Sequence, residues 1–214
     1  MLFAIDRAGL VGEDGPTHHG AFDLSYLRCI PNLVIMTPSD ENECRQMLHT
    51  GYVHPGPAAV RYPRGSGPGA ELHSELTPLP IGKGVIRRQR QAADGGSALL
   101  AFGAPLSVAL QAAQQRDVTV ADMRFVKTLD EELVVRLAQQ HEQLITLEEN
   151  ATAGGAGSAV LECLARNGIH IPVVTLGIPD RYIDHASVSQ QHEEIGLTLE
   201  HVLQTIDRKG DNGH

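Results

Sequence analysis

The stretch EDGPTHHGAFDLSYLRCIPN, residues 13–32, decides how the chain is read. It follows a short apolar run, Leu2 to Ile5, that ends in Asp6-Arg7. An apolar strand, a polar glycine-containing loop and then a helix is the order in which open α/β sheets present ligands, beyond the carboxyl ends of their strands. The loop carries His18, which titrates near neutral pH, and Asp14, a fixed anion there. Together they are suited to proton handling. Asp14 in an E-D-G-P turn is also what a turn former looks like, and a loop histidine is ordinarily a surface residue. On the residues alone both readings stay open.

Outward from this loop, Ala21 to Cys29 reads as a short helix, and Asn32 to Met36 (NLVIM) as a strand buried on both faces. Pro38-Ser39-Asp40-Glu41 reads as a helix start with Ser39 able to cap, and Cys44, Met47 and Leu48 give that helix one apolar face. Ala58 to Tyr62 reads as another strand, with Arg61 and Tyr62 packing its end. Residues 63–80, rich in Gly, Pro and Ser, read as an interdomain linker. The second half alternates: strands are expected at 84–88, 98–102, 118–122, 144–147 and 173–176, and helices at 106–115, 129–140, 158–166 and 197–208. Thr128 with Glu131 reads as a capping box, and Asn167-Gly168 as a left-handed helix end. Residues 89–96 read as a polar turn and 209–214 as a frayed tail. Strands alternating with helices predict a mostly parallel sheet with helices on both faces. The first half is too small for a complete doubly wound sheet and reads as a domain truncated at its front. The expected division is residues 1–78 and residues 79–214.

At 42% hydrophobic but only 4% aromatic, with no Trp, the chain must build an aliphatic core. A net charge of −9 argues against nucleic acid as a partner, because phosphate backbones demand a basic footprint. The densest basic cluster, Arg87, Arg88 and Arg90, reads as a solvated strand end. Cys29, Cys44 and Cys163 form no CxxC and are odd in number, so all three read as small core residues in a reducing compartment. No apolar run approaches the ~20 residues of a membrane span, and no signal segment is visible; a cytoplasmic location without a membrane partner is expected. His18-His19 is a weak metal site, since adjacent residues diverge and no third ligand is spaced to join them; no metal ligand is expected. Gly154-Gly155-Ala156-Gly157-Ser158 matches neither the P-loop nor the dinucleotide fingerprint and reads as close backbone packing or an interface. Glu148 and Glu149, adjacent on a strand, point to opposite faces and do not easily share a site.

Five segments carry a family resemblance: FAIDRAGLVGEDGPTHHGAFDLSYLRCIPN, PSDENECRQML, AVRYPRG, DMRFVKTLDEEL and EENATAGGAGSAV. In this order, and over nearly the whole chain to about Asp180, they resemble the thiamine-diphosphate-dependent transketolase family. The continuation GAFDLSYLRCIPN and the PSDENE segment are similar to the branch that joins pyruvate to D-glyceraldehyde 3-phosphate with loss of carbon dioxide, an entry to isoprenoids. The fold this implies is α/β: a truncated parallel-sheet pyrimidine-binding domain followed by a transketolase C-terminal α/β domain. The cofactors it implies are thiamine diphosphate and Mg in the complete enzyme. The GDG-type motif for them is not in this sequence, and the family's catalytic glutamate would lie before Met1, so no cofactor-binding residue is assigned.

By similarity, His18 would hydrogen-bond the reacting oxygen and assist proton transfer, and Asp14 would help hold the substrate's hydroxyl or the adduct. Arg7 and Arg64 would bind the acceptor's phosphate, whose oxygens a guanidinium fork matches in pairs. The alternative for both arginines is a surface ion pair with Asp6 or another acid. The implied partners are pyruvate, D-glyceraldehyde 3-phosphate, and either a second copy in a homodimer or a missing N-terminal half. The chain is expected to be inactive alone. A subunit of a split enzyme and a non-catalytic interaction protein are the alternatives. Strand edges left bare by truncation are expected to promote association.

Overall fold

The computed structural model describes residues 1–92 and 95–208; the expected tail at 209–214 and two residues of the expected turn lie outside them. β1 (Leu2–Ile5), β2 (Val34–Met36) and β3 (Ala58–Arg61) run parallel in the order β1-β3-β2. β2 and β3 are buried at every position, which is why all their residues but Arg61 are apolar. β1 lies at the edge, and its Phe3 is 46% exposed.

α1 (Asp23–Leu27) is short, and Cys29 just beyond it is exposed, its thiol donating to the Tyr26 carbonyl. Cys44 is half-buried and Cys163 buried, so only the last is the core residue expected of all three. α2 (Glu41–Val53) packs Met47 against β2 and β3. Its cap is Asp40, which accepts from the Glu43 N–H at 2.8 Å. Ser39 sits one residue too early to cap; its hydroxyl donates to Asp122 at 3.0 Å.

The segment expected to be a linker lies along the polar face of α2. Glu41 accepts from the Gly69 and Ala70 N–H groups, Asn42 from His73, Gln46 from Thr77, and Thr50 from Leu79. A helix face with acceptors at successive turns templates a chain that has no strand to join. Between them runs an apolar groove lined by Leu48, Tyr52, Tyr62 and Leu76.

In the second half, β4 (Val85–Arg88), β5 (Ser97–Phe102), α3 (Leu106–Gln115) and β6 (Thr119–Asp122) lie near their expected positions. β7 (Phe125–Lys127), which no sequence pattern marked, then crosses over and pairs antiparallel with β2. Thus the first sheet takes its fourth strand from the second half, in the order β1-β3-β2-β7. α4 (Glu131–Gln140) is capped by Asp130, not Thr128: Asp130 accepts from the Leu133 N–H, which leaves Glu131 at the first helical position. β8 (Gln143–Ala151), α5 (Ala156–Arg166) and β9 (Val173–Ile178) follow. Gly168, beyond α5, has the left-handed φ of 66° expected of a helix end. The second sheet runs β4-β6-β5-β8-β9, parallel except for antiparallel β4.

α6 (Val188–Ile195) falls where no helix was expected, and α7 (Leu199–Asp207) where one was. α6 buries only Gln191, so it shows no apolar stripe; its Ser187–Gln190 capping box was the legible signal. Aliphatic clusters fill both faces of the second sheet, one around Leu100 and Val160 and one around Leu99 and Val202. No helix among the described residues is long and apolar enough to cross a membrane.

Edge strand β1 with its exposed Phe3 favours self-association. Sedimentation velocity on the chain is expected to show species growing with concentration, and Phe3→Lys to shift them toward monomer. A monodisperse monomer at high concentration would contradict this.

Candidate active site

The loop leaving β1 is shaped by left-handed backbone positions and by a closure at its base. Arg7 takes a left-handed φ of 58°, and Gly9, Gly12 and Gly15 follow at 75°, 71° and 71°. The loop base closes through Gly9 N–H to the Gly20 carbonyl and Gly20 N–H to the Arg7 carbonyl, both 3.0 Å. A Cβ on Gly20 would lie 2.3 Å from the Arg7 oxygen, so only glycine lets the two strands of the loop approach.

Arg61 holds this base from β3. Only 4% exposed, it bonds Asp23 at 2.8 Å, the Glu149 carbonyl at 2.8 Å and the Gly20 carbonyl. It ties the loop and α1 to β8 of the second sheet, more than the strand-end packing expected of it.

Arg7 and Arg64 lie just past the carboxyl ends of β1 and β3, neighbouring parallel strands with Ile5 paired to Arg61. Both therefore stand at one sheet edge. Arg7 pairs with Asp6 at 2.7 Å, and Arg64 pairs with Asp14. The Arg7 Nε is buried with no partner among the described residues. The structure thus brings Asp14 and Arg64 together across the loop. His18 is exposed on the same loop, its Nδ1 2.9 Å from the Thr17 hydroxyl. His19 is half-buried: its Nδ1 accepts from the Val11 N–H at 3.1 Å, and its Nε2 lies 3.2 Å from the Ile183 carbonyl. Burial holds its pKa below the usual imidazole value.

The glycine cluster before α5 is occupied by the protein itself. Glu148, fully buried, accepts from the Ala156 and Gly157 N–H groups at 2.7 Å each. A Cβ on Gly155 would lie 2.2 Å from its carboxylate, so the glycines serve close approach and leave no phosphate cradle. Glu149 points the other way: it takes His192 Nε2 at 2.8 Å and the Leu10 N–H at 3.5 Å. The two acids share no site. Among the described residues no three His, Cys, Asp or Glu side chains converge as a metal site. Among the described residues, neither the glycine cluster, filled by Glu148, nor a cluster of acids offers the diphosphate and Mg implied by the resemblance a holder. Sequence reasoning passed over Gln191 and His192 and weighed Glu149 only beside Glu148; the three hold this loop from the second half.

Comparison with known proteins bears on this arrangement. The model of the transketolase C-terminal domain matches residues 83–202, and that of the transketolase pyrimidine binding domain matches residues 1–69. The chain belongs to the transketolase family. It is similar to the 1-deoxy-D-xylulose-5-phosphate synthase of Methylobacillus flagellatus, 57% identical over 98% of this chain and 33% of the relative. It is also similar to that of Pseudomonas entomophila, 62% identical over 92% of this chain and 31% of the relative. The chain spans about a third of the length of the curated relatives it matches. Among solved structures, a split-gene transketolase described as an inactive β4 tetramer superposes with a TM-score of 0.79 at 28% identity, over 97% of this chain and 65% of that one. Transketolase from Campylobacter jejuni superposes at 0.72 and 17% identity, over 97% of this chain and 31% of that one, a likeness of fold alone.

Burial pushes Glu148 from 4.5 up to about 7, against the pull of its two N–H donors. An acid raised in the folded state holds its proton more tightly than the unfolded chain does. Its stabilisation is complete below 4.5 and is lost as pH rises through about 7. Denaturant titrations from about pH 4 to about pH 8 are expected to show the wild type losing up to ~3 kcal/mol relative to Glu148→Gln. A constant gap between the two across that range would contradict this.

Proposed function

We propose that this chain supplies the proton-handling loop and the acceptor-phosphate arginines of a 1-deoxy-D-xylulose-5-phosphate synthase. The reaction is a transketolase-type transfer joining pyruvate to D-glyceraldehyde 3-phosphate with release of carbon dioxide. The observation that carries this reading is the placement of Arg7 and Arg64 past the ends of neighbouring parallel strands, with Asp14 paired to Arg64 and His18 on the same loop. The similarity to relatives of that name supports it.

In this reading the two guanidinium groups exchange surface carboxylates for phosphate oxygens, a stronger paired acceptor. When Arg64 turns to the phosphate, Asp14 is released to accept from a substrate hydroxyl. His18 moves the proton at the reacting oxygen, and the Thr17 hydroxyl fixes its ring. Thiamine diphosphate supplies the carbanion chemistry in the family. Its holder, with Mg, belongs to the two thirds of the relatives that this chain does not span. A homodimer and a cytoplasmic location are parts of the same reading.

A second reading, a subunit of a split transketolase-type enzyme, is favoured by the likeness to the split-gene transketolase. Both readings imply that the chain is inactive by itself.

The test mixes the chain with a polypeptide spanning the remaining part of the Methylobacillus flagellatus synthase, thiamine diphosphate, Mg and both substrates. Product is expected only in the mixture. His18→Ala is expected to lower kcat by roughly 10²–10⁴-fold, the usual worth of a positioned acid–base group. Arg64→Met is expected to raise KM for D-glyceraldehyde 3-phosphate by about 10–100-fold, the worth of one hydrogen bond to a charged group, and to leave unphosphorylated glyceraldehyde unaffected. A stable complex without turnover would overturn the proposal, as would a fully active His18→Ala.

A further inference from the structure

We propose that Gln191, on α6, is a positioning residue for the loop that carries Asp14 and His18. The proposal rests on the functional reading above only for what the loop does. What Gln191 does to the loop is a separate matter of geometry.

Gln191 is fully buried, and every strong polar site of its amide is used. Its Oε1 accepts from the Gly12 N–H at 2.9 Å, and its Nε2 donates to the Gly12 carbonyl at 3.0 Å and the Asp184 carbonyl at 2.8 Å. One side chain thus grips both backbone groups of one residue, as a neighbouring strand would. The amide orientation is fixed, because the reverse would set its NH₂ against the Gly12 N–H and its oxygen against two carbonyls. Gly12 opens the short 3₁₀ turn Gly12–Asp14, and its carbonyl also takes the Gly15 N–H at 3.1 Å. Fixing Gly12 therefore fixes the turn on which Asp14 stands.

The same amide borders His19. Because the His19 Nδ1 accepts from Val11, the proton of the neutral ring sits on Nε2 and is donated to Ile183. Both hydrogens of the Gln191 Nε2 are already given to carbonyls, so its 3.4 Å approach to His19 Nε2 is packing and not a bond. Burial, with His18 and His185 nearby, disfavours a charge on this ring. His19 is thereby locked in one tautomer and one orientation. His18, next in the chain, is held from its other side by its own N–H to the Gly15 carbonyl at 3.0 Å.

The next residue of the helix repeats the device. His192 bonds Glu149 at 2.8 Å, and the Glu149 carboxylate lies against Gly9, where a Cβ would meet its side chain at 2.6 Å. Two consecutive residues of α6 thus hold the loop at two points. α6 fully buries no apolar side chain; the partly buried Ile195 packs on the aliphatic clusters, and a buried amide with three backbone partners is its second anchor.

The test is ¹⁵N NMR of the chain with labelled imidazoles and backbone, without substrate or cofactor. In the wild type, His19 is expected as the neutral Nε2–H tautomer. In Gln191→Leu the Gly12 amide is expected to exchange at least about tenfold faster, while Leu100 and Ile145 in the core keep their protection. Gln191→Glu keeps the shape and the Gly12 N–H bond. It guards against a leucine variant that does not fold: its carboxylate sets an oxygen against the Gly12 and Asp184 carbonyls, so protection of the Gly12 amide is expected to fall as the carboxyl ionises and to return when it is protonated at low pH. Wild-type Gly12 exchange in folded Gln191→Leu, or wild-type Gly12 protection in Gln191→Glu that does not change with pH, would overturn the proposal. Since no turnover is read, failure of the functional reading leaves this result standing, and the reverse also holds.

Discussion

The buried guanidinium of Arg61 is the constraint on which the rest of the structure depends. A charge this deep needs partners, and here its Nε and Nη2 are given to Asp23, Gly20 and Glu149. Those three partners belong to α1, to the base of the loop and to β8. One side chain therefore fixes where the first sheet, the loop and the second sheet meet. Removing one partner of such a buried pair costs on the order of 3–5 kcal/mol, a large share of a domain's stability. β7 reinforces the junction by pairing with β2, and Arg124 adds a 2.6 Å bond to Glu43.

This junction gives the two acids of β8 opposite employment. Glu148 turns to α5 and closes its glycine-rich start, while Glu149 turns to the loop and to His192. Both are buried, although the sequence EENA carries no apolar signal. Strand alternation alone foretold their divergence. What each would meet depended on α6 and α5, contributed by distant parts of the chain.

The same contrast separates what was legible in the sequence from what was not. Continuous apolar runs located β2, β3 and β5, because strands buried on both faces need such runs. Ser39 and Thr128 were misread as caps, since helix starts one or two residues apart differ only in backbone conformation; Asp40 and Asp130 took the role. β7 is three residues long and follows directly on β6, too short to show a period. α6 docks through a buried amide and a single partly buried isoleucine, Ile195, so no stripe of apolar residues announced it. The arginines and the loop at one sheet edge followed from strand–loop order. The pairing of Asp14 with Arg64, and the hold of Gln191 and His192 on the loop, came only with the tertiary structure.

A loop gripped from β3, β8 and α6 should be as stable as the cores it joins. Native-state hydrogen exchange of the Gly9 and Gly20 amides, compared with Leu100 and Ile145, measures this directly. Exchange of all four through the same global opening is expected. Fast exchange of Gly9 and Gly20 by local opening, with the core still protected, would show that the loop is not held in advance and would contradict the central claim.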